Sequence, residues 1–384
     1  MSTNAKDGTP ATAPAATFSY SSVYSFKGQP GDGLKPLAAL TYDSTNGMFY
    51  GTTYAGGDQN IGVIFRFNPK TNAEAVVYSF KSVSVDGAEP RAALAYDPAN
   101  GMFYGTTGWG ETIVKFSPVT NAETTVYSFK DDSKDGGYPK AALTYDPTNG
   151  MFYGTTYRGG ADSNGAIFKF NPKTNTETVV HSFGSTPGDG ANLEAALTYD
   201  SANGMFYGMT YGGGAGVGTI FEFNPLTNAE TVVHSFVGNP GDGSNPEAAL
   251  TYDSTNGMFY GTTYYGGADN DGTILEFNPK TNALTVVHSF NRGSGDGGEP
   301  RTAMTYDSTK DMFYGTTSLH GATGGGTIFE FNPQTNAETV VHSFGISSGE
   351  PRAAFTYDPA NGMFYGTTSG SGAGSNGTIF KFKP

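Results

Sequence analysis

The chain has 384 residues, no cysteine, 56 glycines, 36% hydrophobic and 14% aromatic residues, and a formal net charge of −14. The missing cysteines exclude disulfides and thiolate-held metal, and the acidity argues against a nucleic-acid partner, which demands a basic stripe. No apolar run approaches the roughly 18 residues of a membrane span, and the charge favours neutral or cationic ligands.

Residues 1–17 come first, rich in Ala, Thr and Pro and without an apolar stretch, so they read as a disordered leader rather than a signal peptide. Val23-Tyr-Ser-Phe26 is the first strand-like run, and it has the form of a unit's last strand standing alone. Met-Phe-Tyr-Gly then recurs seven times, at Met48, Met102, Met151, Met205, Met258, Met312 and Met363. A period of about 50 residues marks an array of identical supersecondary units. Each unit repeats four short runs, seen in the third as Ala141–Asp146, Met151–Thr156, Ala166–Phe170 and Thr178–Phe183. Their β-branched and aromatic residues, bounded by Gly, Pro, Asn and Asp, predict strands.

Seven units of four antiparallel strands predict an all-β, seven-bladed β-propeller filling residues 18–384 as a single domain. The last run, Thr378–Phe382, is a third strand with no fourth after it. The N-terminal strand supplies what that blade lacks, so the ring is expected to close on itself and leave only short edges.

Within a unit, the first two strands are joined by Asp-x-x-Asn-Gly turns such as Asp97–Gly101, and the last two by Asn-Pro-x-Thr-Asn turns such as Asn171–Asn175. Pro sets φ, and Asn or Asn-Gly supplies the left-handed residue, so these are hairpins and not calcium loops. They must share one face of the ring. The other two connections share the opposite face and vary more, which makes that face the place to seek a ligand.

On it lie Tyr-x-Gly-Gly or Tyr-Gly-Gly-Gly loops beginning at Tyr54, Tyr157-Arg158, Tyr211 and Tyr264-Tyr265. Blade two replaces this loop with Gly108-Trp109-Gly110, and blade six with Ser318-Leu319-His320. The loops between blades carry Asp-Gly, including Asp135, Asp189, Asp242 and Asp296. The candidate ligand-binding residues are therefore these tyrosines with Arg158, the four aspartates, Trp109 and His320. Each aspartate has a plainer reading as an Asx turn.

Catalytic motifs are missing. His181, His234, His288 and His342 occupy one repeated position that Tyr24, Tyr78 and Tyr127 fill elsewhere, which reads as packing rather than acid–base chemistry. No nucleophile elbow, zinc-protease motif or phosphate loop occurs, so no cofactor, metal or enzymatic activity is expected. The residue after the proline that enters each blade, or after Leu193 in blade four, is Leu37, Arg91, Lys140, Glu194, Glu247, Arg301 and Arg352. These should ring the channel mouth, pairing Lys140 with Glu194 and Glu247 with Arg301.

Phe-Tyr-Gly-Thr-Thr, Gly-Thr-Ile-Phe-x-Phe and Val-x-Tyr/His-Ser-Phe followed by Asp-Gly-x-x-Pro together resemble the bacterial GloVer tandem repeats over nearly the whole chain after residue 20. The resemblance implies the fold and an extracellular or surface location, whereas the N-terminal sequence by itself suggests the cytoplasm. By fold analogy, propeller lectins use such rings to bind sugars. The expected function is a multivalent carbohydrate-binding ring whose partners are glycans or other small neutral ligands, with several weak sites multiplied by avidity. A protein-interaction scaffold is the alternative, and a polysaccharide-cleaving enzyme comes third.

Overall fold

A computed structural model describes residues 18–384 apart from 185, 187, 347 and 348. The leader expected at residues 1–17 lies outside the described residues. Seven four-stranded antiparallel sheets follow one another as blades. Counted outward from the channel, the strands of blade one are Thr41–Asp43, Met48–Thr53, Val63–Asn68 and Ala73–Ser79. Those of blade three are Thr144–Asp146, Met151–Thr156, Ala166–Asn171 and Thr176–Ser182. The inner run expected at 141–146 thus gives only its second half to the ladder. Of its first half, Ala141 and Ala142 line the narrow channel together with the matching small residues of the other blades, while Leu143 packs into the wedge against Tyr104 and Phe152.

Closure follows the expected route. Ser19–Ser25 pairs antiparallel with Thr378–Lys383, with Tyr20 opposite Phe382 and Tyr24 opposite Ile379. The register shifts between Ser22 and Tyr24, leaving Val23 as an extra residue. Every other blade has the same bulge in its fourth strand, as at Val180 between Val179 and His181. The closing strand therefore copies the other fourth strands in detail. A bulge turns two consecutive side chains out of simple alternation. Val180 packs into the wedge between blades three and four, while His181 faces carboxylates in the same gap.

Each hydrophobic cluster straddles two blades. Tyr153, Ile167 and Phe183 of blade three meet Leu197, Phe206 and Phe221 of blade four. The tyrosine of each Met-Phe-Tyr-Gly packs on the phenylalanine of the next: Tyr153 on Phe206 with ring centroids 4.7 Å apart, and Tyr365 on Phe49 at 4.7 Å across the closure. Such aromatic contacts add about 0.5–1.5 kcal/mol beyond burial. The motif's glycine is a steric requirement: a Cβ on Gly154 would lie 2.3 Å from Phe168 Cζ.

The hairpins on one face are closed as their residues dictate. Thr148 N–H donates to Asp146 Oδ1 at 2.9 Å, Gly150 has φ +72°, and Asn175 takes φ +55°. No helix among the described residues is long and apolar enough to cross a membrane.

Candidate ligand site at the channel mouth

The opposite face is organised by a residue that precedes each blade's inner strand. Lys35, Glu89, Tyr138, Asn192, Asn245, Glu299 and Glu350 all hold φ between +52° and +60°. A left-handed, non-glycine residue at the same place in every blade turns the chain inward, so that the residue two positions on points to the axis. Those second residues are Leu37, Arg91, Lys140, Glu194, Glu247, Arg301 and Arg352, and together they line a cavity of about 200 Å³ at the mouth of the channel.

The charge pattern expected there is present. Lys140 Nζ donates to Glu194 Oε1 at 2.7 Å, and Arg301 Nη1 to Glu247 Oε2 at 3.0 Å. Burial pushes the Glu247 carboxyl up, opposed by Arg301 beside it. Arg91 and Arg352 have looser partners, Glu89 at 3.9 Å and Glu350 at 3.6 Å within their own loops. Arg91 Nε is buried with no hydrogen-bond acceptor.

The four loop tyrosines converge on this ring. Arg91 lies 4.7 Å from the Tyr54 ring centroid, Lys140 3.6 Å from that of Tyr157, and Arg301 4.2 Å from that of Tyr264. Such cation–π contacts contribute about 0.5–2 kcal/mol each. Tyr264 is buried; its hydroxyl donates to Glu299 Oε2 at 2.6 Å and accepts from Arg301 Nη2 at 2.5 Å. Burial raises the Tyr211 phenol, with Glu247 and Glu194 adding to the effect. The amides of Asn192 and Asn245 hold the backbone carbonyls of Tyr157 and Tyr211, at 3.2 and 3.1 Å. This second tier of Asn and Glu was not legible as part of a site. Its one sequence signal is its fixed place immediately before the proline, or before Leu193 in blade four.

Blade seven has Ser369 where blade one has Tyr54. The smaller side chain leaves a recess of about 420 Å³ bounded by Leu37, Tyr54, Arg91, Arg352 and Ser369, with Lys35 and Glu350 at its rim.

The other predicted residues lie elsewhere. Arg158 is exposed, 5.3 Å from the Tyr138 ring centroid. Tyr265 stacks edgewise on Tyr264 with ring centroids 4.1 Å apart and is 36% exposed, and Trp109 is 58% exposed. His320 takes φ +66° in its loop, and its carbonyl accepts from Gly326 N–H at 2.9 Å. The four aspartates do not join the tyrosines. All four are engaged between blades by turn amides, and Asp135, Asp242 and Asp296 also by the side chain eight residues upstream. Asp135 accepts from Tyr127 hydroxyl at 2.9 Å and from Gly136 N–H at 2.8 Å. Asp242 meets His234 Nε2 at 2.5 Å, and Asp296 meets His288 Nε2 at 3.2 Å. Asp189 takes the N–H groups of Gly184 and Gly190 at 2.9 and 2.7 Å. At Tyr127, His234 and His288 the repeated position is therefore a polar partner to the aspartate, whereas His342 is packed on Tyr20 and Phe344.

A glutamate from the next blade's outer strand reaches five of these gaps: Glu74, Glu123, Glu177, Glu230 and Glu338. Burial is the main cause that pushes the first four up to about 7 and Glu338 up to about 8.

The fold has many counterparts among solved structures. An oligogalacturonate lyase in complex with manganese is 8% identical with a TM-score of 0.60, covering 96% of this chain and 98% of that one. The extracellular domain of a putative hybrid two-component system from B. thetaiotaomicron is 15% identical with a TM-score of 0.62, over 96% of this chain and 42% of that one. A putative 6-phosphogluconolactonase from Bacteroides uniformis ATCC 8492 is 15% identical with a TM-score of 0.56, over 86% and 93%. At these identities the likeness is one of fold. No curated protein matches the sequence. The family model of the Gloeobacter/Verrucomicrobia repeat matches residues 2–146, 108–256 and 203–384. The tandem units read from the sequence are those repeats, and the chain belongs to that family.

Proposed function

We propose that this propeller is a non-catalytic carbohydrate-binding protein whose ligand seats at the channel mouth, with a preference for acidic sugars. The observation that carries the reading is the recess beside Tyr54, flanked by Arg91 and Arg352. An aromatic ring suits the apolar face of a sugar, and guanidinium groups bind carboxylates in a two-pronged manner. The two arginines are the least tightly paired cations of the ring, so they are the ones free to meet an anionic ligand. Lys140 and Arg301 are already held by Glu194 and Glu247. Because the tyrosines face one mouth, one or a few ligands per ring are favoured over many equivalent sites. The net charge of −14 repels acidic polymers at long range, so the local cationic arc has to dominate at contact.

An array of neutral and uronate-containing oligosaccharides, followed by calorimetry with an oligogalacturonate, tests the reading. The expected result is binding to uronate-containing ligands that weakens in high salt and falls at least tenfold in Arg91→Ala, with no release of reducing ends. Binding to neutral sugars alone, or undiminished binding by Arg91→Ala, would refute the acidic-sugar site. Release of reducing ends would refute the non-catalytic role.

A protein-interaction scaffold is the second reading. It is favoured by the exposure of Trp109, Tyr265 and Leu319, at 58%, 36% and 37%, on one repeated loop position. A ring that ignores every glycan but loses a protein partner on Trp109→Ala would favour it.

A further inference from the structure

We propose that the gap between blades three and four is a binding site for a borderline divalent cation such as Zn2+, held by His181, Asp189 and Glu230, and that the gap between blades five and six repeats it with His288, Asp296 and Glu338. In each set the potential ligand atoms lie within 4.8 Å of one another. His181 Nε2 stands 3.8 Å from Asp189 Oδ2 and 3.8 Å from Glu230 Oε2, too far for a hydrogen bond to either. A tetrahedral Zn2+ with ligands at about 2.0–2.2 Å holds them roughly 3.4 Å apart, so a small inward movement of each side chain suffices.

The set is more than a group of acids. His181 Nε2 is buried without a hydrogen-bond partner, and so is Glu230 Oε1. The Glu230 side chain is only 7% exposed and that of Asp189 4%. Unpaired buried carboxylate oxygen and imidazole nitrogen are costly unless something joins them. Glu338 Oε1 is likewise buried and unpartnered in the second gap. One imidazole and two carboxylates leave a coordination position for water, the arrangement of an open zinc site.

The other blades act as internal contrasts. Blade five offers Leu284 where blade four has Glu230, and there His234 closes directly onto Asp242 at 2.5 Å. The gaps after blades one and two, and the gap at the ring closure, use Tyr78, Tyr127 and Tyr24 instead of histidine, each bonded to its aspartate. At the last position His342 stacks on Tyr20 with ring centroids 3.9 Å apart. A three-ligand set with histidine therefore occurs twice among the described residues.

The test uses the full chain dialysed against chelator and then titrated with Zn2+ by calorimetry, and with Co2+ by visible absorption. Two equivalents are expected for the natural sequence, one for His181→Tyr and none for His181→Tyr/His288→Tyr. Tyrosine is the residue other blades carry at this position, so an unshifted metal-free melt should accompany each variant. Leu284→Glu should add one equivalent beside His234 and Asp242. No uptake at micromolar Zn2+ by the natural sequence, or uptake that the double variant retains, would overturn the assignment. An unchanged stoichiometry in Leu284→Glu would overturn the claim that histidine, aspartate and glutamate at these three places suffice for a site.

Discussion

At the scale of single residues, the gaps between blades concentrate ionisable groups that the core cannot solvate. Glu177 is the plainest case, because the groups facing it are Tyr127 and Asp135, with no cation beside them. Burial, followed by the charge of Asp135, pushes its carboxyl up to about 7, against an ordinary value of 4.5. A raised acid pKa means the folded state holds the proton more tightly than the unfolded chain. The stabilisation is complete below pH 4.5 and is lost as pH rises through about 7. Glu177→Gln keeps the shape and removes the ionisation. It should therefore raise the denaturation midpoint at pH 8 by the equivalent of about 1 kcal/mol, a figure discounted for partial contact with water, and change little at pH 4. Denaturant titrations at the two pH values check this. An equal effect at both would mean that the amide is altering packing and not charge.

At the scale of the element, the closing strand is where repeat arithmetic becomes a physical claim. Ser19–Ser25 supplies the outer ladder of blade seven, and Val23, Tyr24 and Phe26 pack into a cluster with Leu40, Phe65 and Ile379. Deleting residues through Phe26 exposes the edge of Thr378–Lys383 and removes the fully buried Phe26, contributing about 1.5–3 kcal/mol, together with the smaller contributions of the partly buried Val23 and Tyr24. Such a truncation should melt at lower temperature and self-associate, whereas removal of residues 1–17 alone should leave the melt unmoved. Equal, cooperative melts for both would contradict closure by this strand. The strands, the closure and the hairpins were legible because each follows from local chemistry repeated at a fixed period. The inter-blade polar sets were not. A Tyr or His, an aspartate eight residues on and a glutamate from the next outer strand come together only through the ring. The constant spacing of eight between Tyr24 and Asp32, Tyr127 and Asp135, or His288 and Asp296 was the signal available. It pointed to a pair held by the fold, away from the ligand face on which the aspartates had been expected. Likewise, Tyr54, Tyr157, Tyr211 and Tyr264 stood out as loop residues, but their meeting with Arg91, Lys140 and Arg301 depends on the inward turn at the left-handed position before each proline, or before Leu193 in blade four. Nothing in the residue types there, which range from Lys to Glu to Tyr, announces that turn.

At the scale of the whole molecule, the seven inward residues form one electrostatic object. Around the mouth run Arg352, Leu37, Arg91 and Lys140, then Glu194 and Glu247, then Arg301. Like charges are neighbours within each arc, and opposite charges meet at its two ends. Lys140→Glu would place a carboxylate against Glu194, replacing a 2.7 Å ion pair with repulsion and losing the contact with the Tyr157 ring. Lys140 and Glu194 are about one-fifth exposed, at 19% and 22%, so the penalty should be modest, on the order of 1 kcal/mol at low salt. It should shrink as salt shortens the screening length to about 8 Å and below. Adding Glu194→Lys restores the pair with its polarity reversed. It also sets the new carboxylate beside Arg91 and the new ammonium beside Glu247, so that signs alternate from Arg91 through Arg301. The doubly exchanged protein should regain at least the charge-dependent part of the lost stability. Melts of the two variants at low and high ionic strength measure both effects. A double variant no more stable than Lys140→Glu, or a loss that salt leaves unchanged, would mean that Lys140 matters through its seat on Tyr157 and not through the ring of charge.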